Sequence, residues 1–124
     1  MAARKKPFQL IADYENSEAE FQRQVIQYAQ FCGWLCYSIP DSRRSTLAGW
    51  PDVVFMRDTR IVFSEMKREK GKTSPAQDVV LATLSAIAEA NKTMEVYVWR
   101  PSDWPEIEVI LKWKPTKNRV KKTD

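Results

Sequence analysis

Pro51-Asp52 opening the run Val53-Val54-Phe55-Met56, followed by Arg60-Ile61-Val62-Phe63-Ser64-Glu65-Met66-Lys67, leaves this chain few ways to fold. Proline cannot donate a ladder hydrogen bond and is tolerated at the first position of a strand, so Pro51 marks where one begins. The apolar run behind it is expected to form a strand buried on both faces. Arg57-Asp58-Thr59-Arg60 is polar and short, enough for a hairpin turn. The return strand alternates with period two, which puts Ile61, Phe63, Glu65 and Lys67 on one face. A core-facing stripe that ends in an acid and a base needs a physical reason.

Metal binding is one such reason. Hard divalent cations such as Mg²⁺ take oxygen ligands, commonly one or two carboxylates with water and substrate phosphate. Asp52 and Glu65 come from neighbouring strands and can converge, and the main-chain carbonyl of Met66 could add a third oxygen. Lys67, one pleat repeat from Glu65, could orient an attacking water and offset phosphate charge. A salt bridge at the end of a hairpin accounts for the same residues, and the two strands alone leave both readings open.

The rest of the chain narrows the field. At 124 residues it is one small domain with a sizeable core. A net charge of +4 favours a polyanionic partner. With no histidine, a Cys/His zinc site and any histidine-based catalysis are excluded. Cys32 and Cys36 lie too near each other to staple a fold usefully, which suits a reducing, cytoplasmic setting. No apolar run is long enough to span a membrane, and the start lacks a secretory signal.

Residues 1–16 read as a flexible basic arm and 114–124 as a basic disordered tail, flanking a folded unit over 17–113. Ser17-Glu18-Ala19-Glu20 has the spacing of a capping box, with Glu20 reaching back to the cap. The helix it opens carries Phe21, Val25, Tyr28, Ala29 and Cys32 as its apolar stripe and ends at Gly33. Glu18 points along the buried face, whereas Glu20 falls with Gln24 and Gln27 on the polar side. If a helix acid reaches the metal site, geometry favours Glu18; helix-dipole placement is the alternative. A strand over 34–39 comes next, then a polar loop whose Arg43 and Arg44 are either solvated or in contact with phosphate. After Lys67 the turn holds Arg68, Lys70 and Lys72, with the same two readings.

Ser74-Pro75-Ala76-Gln77 starts a second helix, with proline at its first position. Its stripe is Val80, Leu81, Leu84, Ile87 and Ala88. Gln77 is a cap, or its amide reaches the metal-bound water or a phosphate. A final strand over 94–99 precedes a short helix over Ile107 to Leu111, capped by Ser102 or Asp103. Trp99, Trp104 and Trp113 suit either base stacking or core packing.

Taken in order, Ser17-Glu18-x-x-Phe21-Gln22, Gly33-Trp34, Gly49-x-Pro51-Asp52, Glu65-x-Lys67, Ser74-Pro75-x-Gln77 and Trp99-Arg100-Pro101-x-Asp103-Trp104 resemble the VRR-NUC family of the PD-(D/E)XK nuclease superfamily. The resemblance runs from about Ser17 to Leu111 and is closest to the stand-alone phage and bacterial type. It implies an α/β fold with a restriction-endonuclease-like αβββαβ core, completed here by the short C-terminal helix. It also implies Mg²⁺- or Mn²⁺-dependent cleavage of DNA. Asp52, Glu65 and the Met66 carbonyl match the family's metal ligands, Lys67 its catalytic lysine, Gln77 its second-helix glutamine and Glu18 its first-helix acid. A homodimer acting on branched DNA such as a Holliday junction is the expected form. Arg43, Arg44, Arg68, Lys70 and Lys72 would grip the phosphates, and some tryptophans would lie at the dimer interface. The competing expectation is a basic DNA-binding module without catalysis, whose acidic cluster is structural.

Overall fold

The computed structural model describes residues 17–39 and 46–112. The expectations for the 1–16 arm, the 114–124 tail, Trp113, Arg43 and Arg44 lie outside the described residues. Among the described residues eight elements follow one another: α1 (Glu18–Phe31), β1 (Leu35–Ser38), β2 (Val53–Arg57), β3 (Arg60–Met66), α2 (Pro75–Glu89), β4 (Met94–Trp99), a 3₁₀ turn (Pro101–Asp103) and α3 (Trp104–Leu111). The fold is mixed α/β, with one four-stranded sheet in the order β1-β2-β3-β4. The first two pairings are antiparallel and the last is parallel, with α2 as the crossover.

Local chemistry explains most boundaries. Ser17 Oγ accepts the Glu20 N–H at 3.1 Å to open α1, and Gly33, at φ 92°, closes it in the left-handed region. The expected reach of Glu20 back to its cap is replaced by a pairing with Arg23 one turn along. Pro51 stands two residues ahead of β2, and Asp58 takes the positive φ that the two-residue β2–β3 turn requires. Aspartate tolerates that conformation better than most residues.

The alternation of the strands divides the apolar residues between two faces. Val53, Phe55, Val62, Met66 and Trp99 pack with Phe21, Val25 and Ala29 of α1 and with Trp104, Ile107 and Leu111 of α3. On the other face α2 lays Val80 and Leu84 on Val54 and Phe63, with Trp50, Ile61, Met94 and Val96 around them.

This unequal cover corrects three expectations. Gln24, expected on the polar side, is buried, because Trp104 of α3 packs on Phe21 and Tyr28 along the same flank of α1. On α2 only Val80 and Leu84 of the expected stripe are buried, and Ile87 is 49% exposed. Met56 is exposed as well, so β2 is buried on both faces only through Phe55. Trp34, Trp99 and Trp104 lie within the core and are closed to base stacking or a dimer interface.

Candidate metal centre at the end of the β2–β3 hairpin

The register pairs Val53 with Ser64, so the next step sets Asp52 opposite Glu65 at the open end of the hairpin. Both face α2, in line with Phe63 and Val54. The N-terminus of α1 comes to the same end and brings Glu18. One carboxylate oxygen each from Glu18, Asp52 and Glu65 lie within 4.8 Å of one another. Glu20 instead pairs with Arg23 and stays out of the cluster, so Glu18 is the helix acid that the structure brings to it.

Each acid is held in a different way. Asp52 Oδ2 accepts the Met66 N–H at 2.8 Å. Glu65 Oε2 accepts from the Gln77 amide at 2.8 Å and lies 3.5 Å from the Lys67 ammonium. Glu65 is 1% exposed, and its other oxygen, Oε1, is buried with no hydrogen-bond partner. Burial pushes the Glu65 carboxyl up to about 8, the Asp52 charge adds to the rise, and Lys67 opposes it. Burial also raises Glu18, with Asp52 adding to that rise while Lys67 and Arg68 work against it.

The direction of the Met66 carbonyl follows from its neighbour. Lys67 N–H donates to Trp99 O on β4 at 2.9 Å, and the peptide joining the two residues is trans. Across a trans peptide N–H and C=O point in opposite directions, so the Met66 carbonyl leaves on the β2 side, where Asp52 stands. The sequence suggested only this carbonyl; the Met66 N–H that anchors Asp52 was not foreseen.

Gln77 caps its helix, as expected, and its amide also reaches Glu65. Ser74 Oγ accepts the Gln77 N–H, and Gln77 Oε1 accepts the Ser74 N–H at 2.9 Å, which completes a capping box. With Oε1 committed to a donor, the amide NH₂ is turned toward Glu65. Glutamate would close the same box but could not donate this bond while ionised. The cap therefore sets the orientation that the site uses.

Gly49 is a supporting residue that residue-type reasoning passed over. It has φ 92°, and a Cβ there would sit 2.4 Å from the Ala76 carbonyl oxygen and 2.8 Å from the Gln77 nitrogen. Any side chain at position 49 would push away the first turn of α2 and Gln77 with it. A glycine two residues before Pro51 was the available signal. Among the expected phosphate contacts, Arg68, Lys70 and Lys72 are exposed in the turn that leaves the cluster.

Comparison with protein-family models finds no family that matches the chain, and a search of curated proteins returns no match. Among the described residues, no helix is long and apolar enough to cross a membrane.

Proposed function

We propose that the chain is a divalent-metal-dependent deoxyribonuclease of the VRR-NUC kind, with a restriction-endonuclease-like αβββαβ core. The observation that carries this reading is Glu65 Oε1, a carboxylate oxygen with no partner at a fully buried position, next to two further acids. An ionised carboxylate taken out of water is costly unless it is paired or coordinates a metal. Its neighbours are oxygen donors, which suits Mg²⁺ or Mn²⁺ and not a thiolate- or imidazole-seeking ion. The order of elements and the quoted motif residues support the family assignment.

Asp52, Glu65 and the Met66 carbonyl would hold the ion, with Glu18 near enough to contribute. When bound, such an ion supplies Lewis-acid stabilisation to a phosphoryl group and lowers the pKa of water. The chain's own groups do the remaining work. Gln77 fixes Glu65 Oε2, which leaves Oε1 free to coordinate. Lys67, held against Glu65, offsets phosphate charge and orients the attacking water. The first turns of α1 and α2 converge here, and helix N-termini favour an anionic substrate. Arg68, Lys70 and Lys72 extend a positive surface along the backbone, with Arg43 and Arg44 as further candidates. In this reading the protein acts as a homodimer on branched DNA, because two matched cuts in a two-fold junction call for two identical sites.

The test is cleavage of labelled four-way and linear DNA with Mg²⁺, with Mn²⁺ and with chelator. Wild type should nick DNA only when metal is present, and Asp52→Ala and Lys67→Ala should each lower the rate by about 10³-fold or more. Cleavage unaffected by Asp52→Ala would falsify the assignment. Tight binding with no cleavage under any metal would favour the non-catalytic DNA-binding module.

A further inference from the structure

The run Lys67-Arg68-Glu69-Lys70-Gly71-Lys72 contains one acid among five positions of another kind, four of them basic besides the glycine. An acid in a phosphate-facing turn weakens polyanion binding through like-charge repulsion. Glu69 is exposed, yet its carboxylate is already engaged within the protein. Its Oε1 accepts the Ser102 N–H at 2.9 Å, across to the 3₁₀ turn that follows β4. A second tie lies beside it: Arg100 Nη2 donates to the Gly71 carbonyl at 2.8 Å.

Both anchors are themselves fixed. Arg100 N–H donates to Asp103 Oδ2 at 2.9 Å, and Asp103 N–H donates to the Arg100 carbonyl at 2.8 Å. On the turn, Gly71 N–H closes onto the Arg68 carbonyl at 2.9 Å, and Lys67 N–H bonds Trp99 O at the root. The residues between 67 and 71 are therefore tied at three points to 99–102, while Arg68 and Lys70, with Lys72 just beyond, remain exposed. The Trp99-Arg100-Pro101-x-Asp103 segment, which contributes nothing directly to the acidic cluster, acquires a role in this way.

We propose that Glu69 and Arg100 are positioning residues: they clasp the basic turn to the 3₁₀ turn so that Arg68, Lys70 and Lys72 meet a nucleic-acid backbone as a preset array. The inference rests on the nuclease reading for the identity of the polyanion. An ordered array binds phosphates without first losing the conformational freedom of the turn, which is the advantage of preorganisation. It also explains why an acid persists in a basic run.

The clasp predicts an effect opposite in sign to that of charge alone. Glu69→Ala removes a negative charge, so simple electrostatics predicts tighter binding to DNA. The clasp predicts about threefold weaker binding, because the Ser102 bond is lost. Glu69→Gln keeps an acceptor oxygen for Ser102 and removes the charge, so it should bind at least as tightly as wild type. Arg100→Ala, which loses a charged donor, should weaken binding about tenfold.

The experiment measures binding of a labelled four-way DNA to the full chain in Ca²⁺, which permits binding without requiring cleavage. Amide hydrogen exchange at Gly71 is followed in parallel. Faster Gly71 exchange in both alanine variants, with weaker DNA binding by both and rescue in Glu69→Gln, supports the clasp. Tighter binding by Glu69→Ala, or unchanged Gly71 exchange in both alanine variants, overturns it and leaves the nuclease reading intact. A wild-type protein that binds no DNA overturns both.

Discussion

The two ends of the β2–β3 hairpin carry similar numbers of charged residues and treat them in opposite ways. At the turn end, Arg57 donates to Cys32 O at 2.9 Å, to Leu111 O at 3.5 Å and to Lys112 O at 3.3 Å. It thereby ties down the last carbonyls of both α1 and α3, where a helix dipole favours a cation. Arg60 makes a two-pronged bond to Glu95 at 2.7 and 2.9 Å, and both guanidinium groups lie over Trp34, at 4.6 and 5.0 Å. At the open end three acids converge on one lysine, and Glu65 Oε1 stays unpartnered. Charge that is fully answered holds a fold together. Charge left unanswered in a buried place costs stability, and the proposed function reads it as the seat of a metal.

The largest effect should therefore come from Glu65→Gln. Cleavage should fall by about 10³-fold or more, because a coordinating charge is lost while shape is kept. In metal-free protein the same substitution should raise stability at high pH. Folded Glu65 keeps its proton to about 8, whereas in the unfolded chain it ionises near 4.5. The folded state thus binds more protons across that window, and the contribution of this group to stability declines as pH rises through it. Thermal melts in chelator at pH 5 and pH 8 should show the wild type losing on the order of 2–4 kcal/mol relative to Glu65→Gln. Added Mn²⁺ should recover wild type at pH 8 and leave the variant nearly unmoved. Parallel pH profiles for the two proteins would break the comparison at its first step.

The turn end supplies the reverse case. Arg57→Ala should cost about 2–3 kcal/mol, since it strips donors from two helix ends and uncovers one face of Trp34. Cleavage per folded molecule should stay at the wild-type level. Denaturant unfolding paired with an active-fraction assay separates the two quantities. A variant that keeps its midpoint, or that folds normally and cuts poorly, would show that the ends are not divided in this way.

How far the sequence foretold each end depends on the range of the interactions. Pro51-Asp52, the period-two stripe to Lys67, the Ser74 and Gln77 box and Gly33 all act over a few residues, and they placed most elements and the acid–base pair. Helical periodicity favoured Glu18 over Glu20 as the inward acid without deciding between them. What escaped depends on contacts between distant segments. Gln24 is buried because α3 covers a flank that α1 alone cannot reveal, and Ile87 is exposed because, among the described residues, α2 buries only Val80 and Leu84 against the sheet. Arg57 and the Glu69–Ser102 tie reach across 25 or more residues, and nothing in their immediate neighbours signals that.

The smallest expected effect tests the boundary of the site itself, within the first turn of one helix. Glu18 stands in the cluster, and its carboxyl is raised by burial and by Asp52, so Glu18→Gln should stabilise slightly or leave the melting point unchanged. Cleavage should fall by roughly 10–100-fold, less than for Glu65→Gln, because Glu18 lies at the margin of the proposed ligand set. Glu20 is half-buried at the same helix end and is occupied with Arg23. Glu20→Gln should cost about 0.3–0.5 kcal/mol, the usual worth of an exposed pair one turn apart, and leave cleavage at wild-type level. Urea midpoints and single-turnover rates for the two variants, measured together, give the ranking. A strong loss of cleavage in Glu20→Gln with none in Glu18→Gln would move the inner boundary of the site across the helix, and the division between answered and unanswered charge would have to be redrawn there.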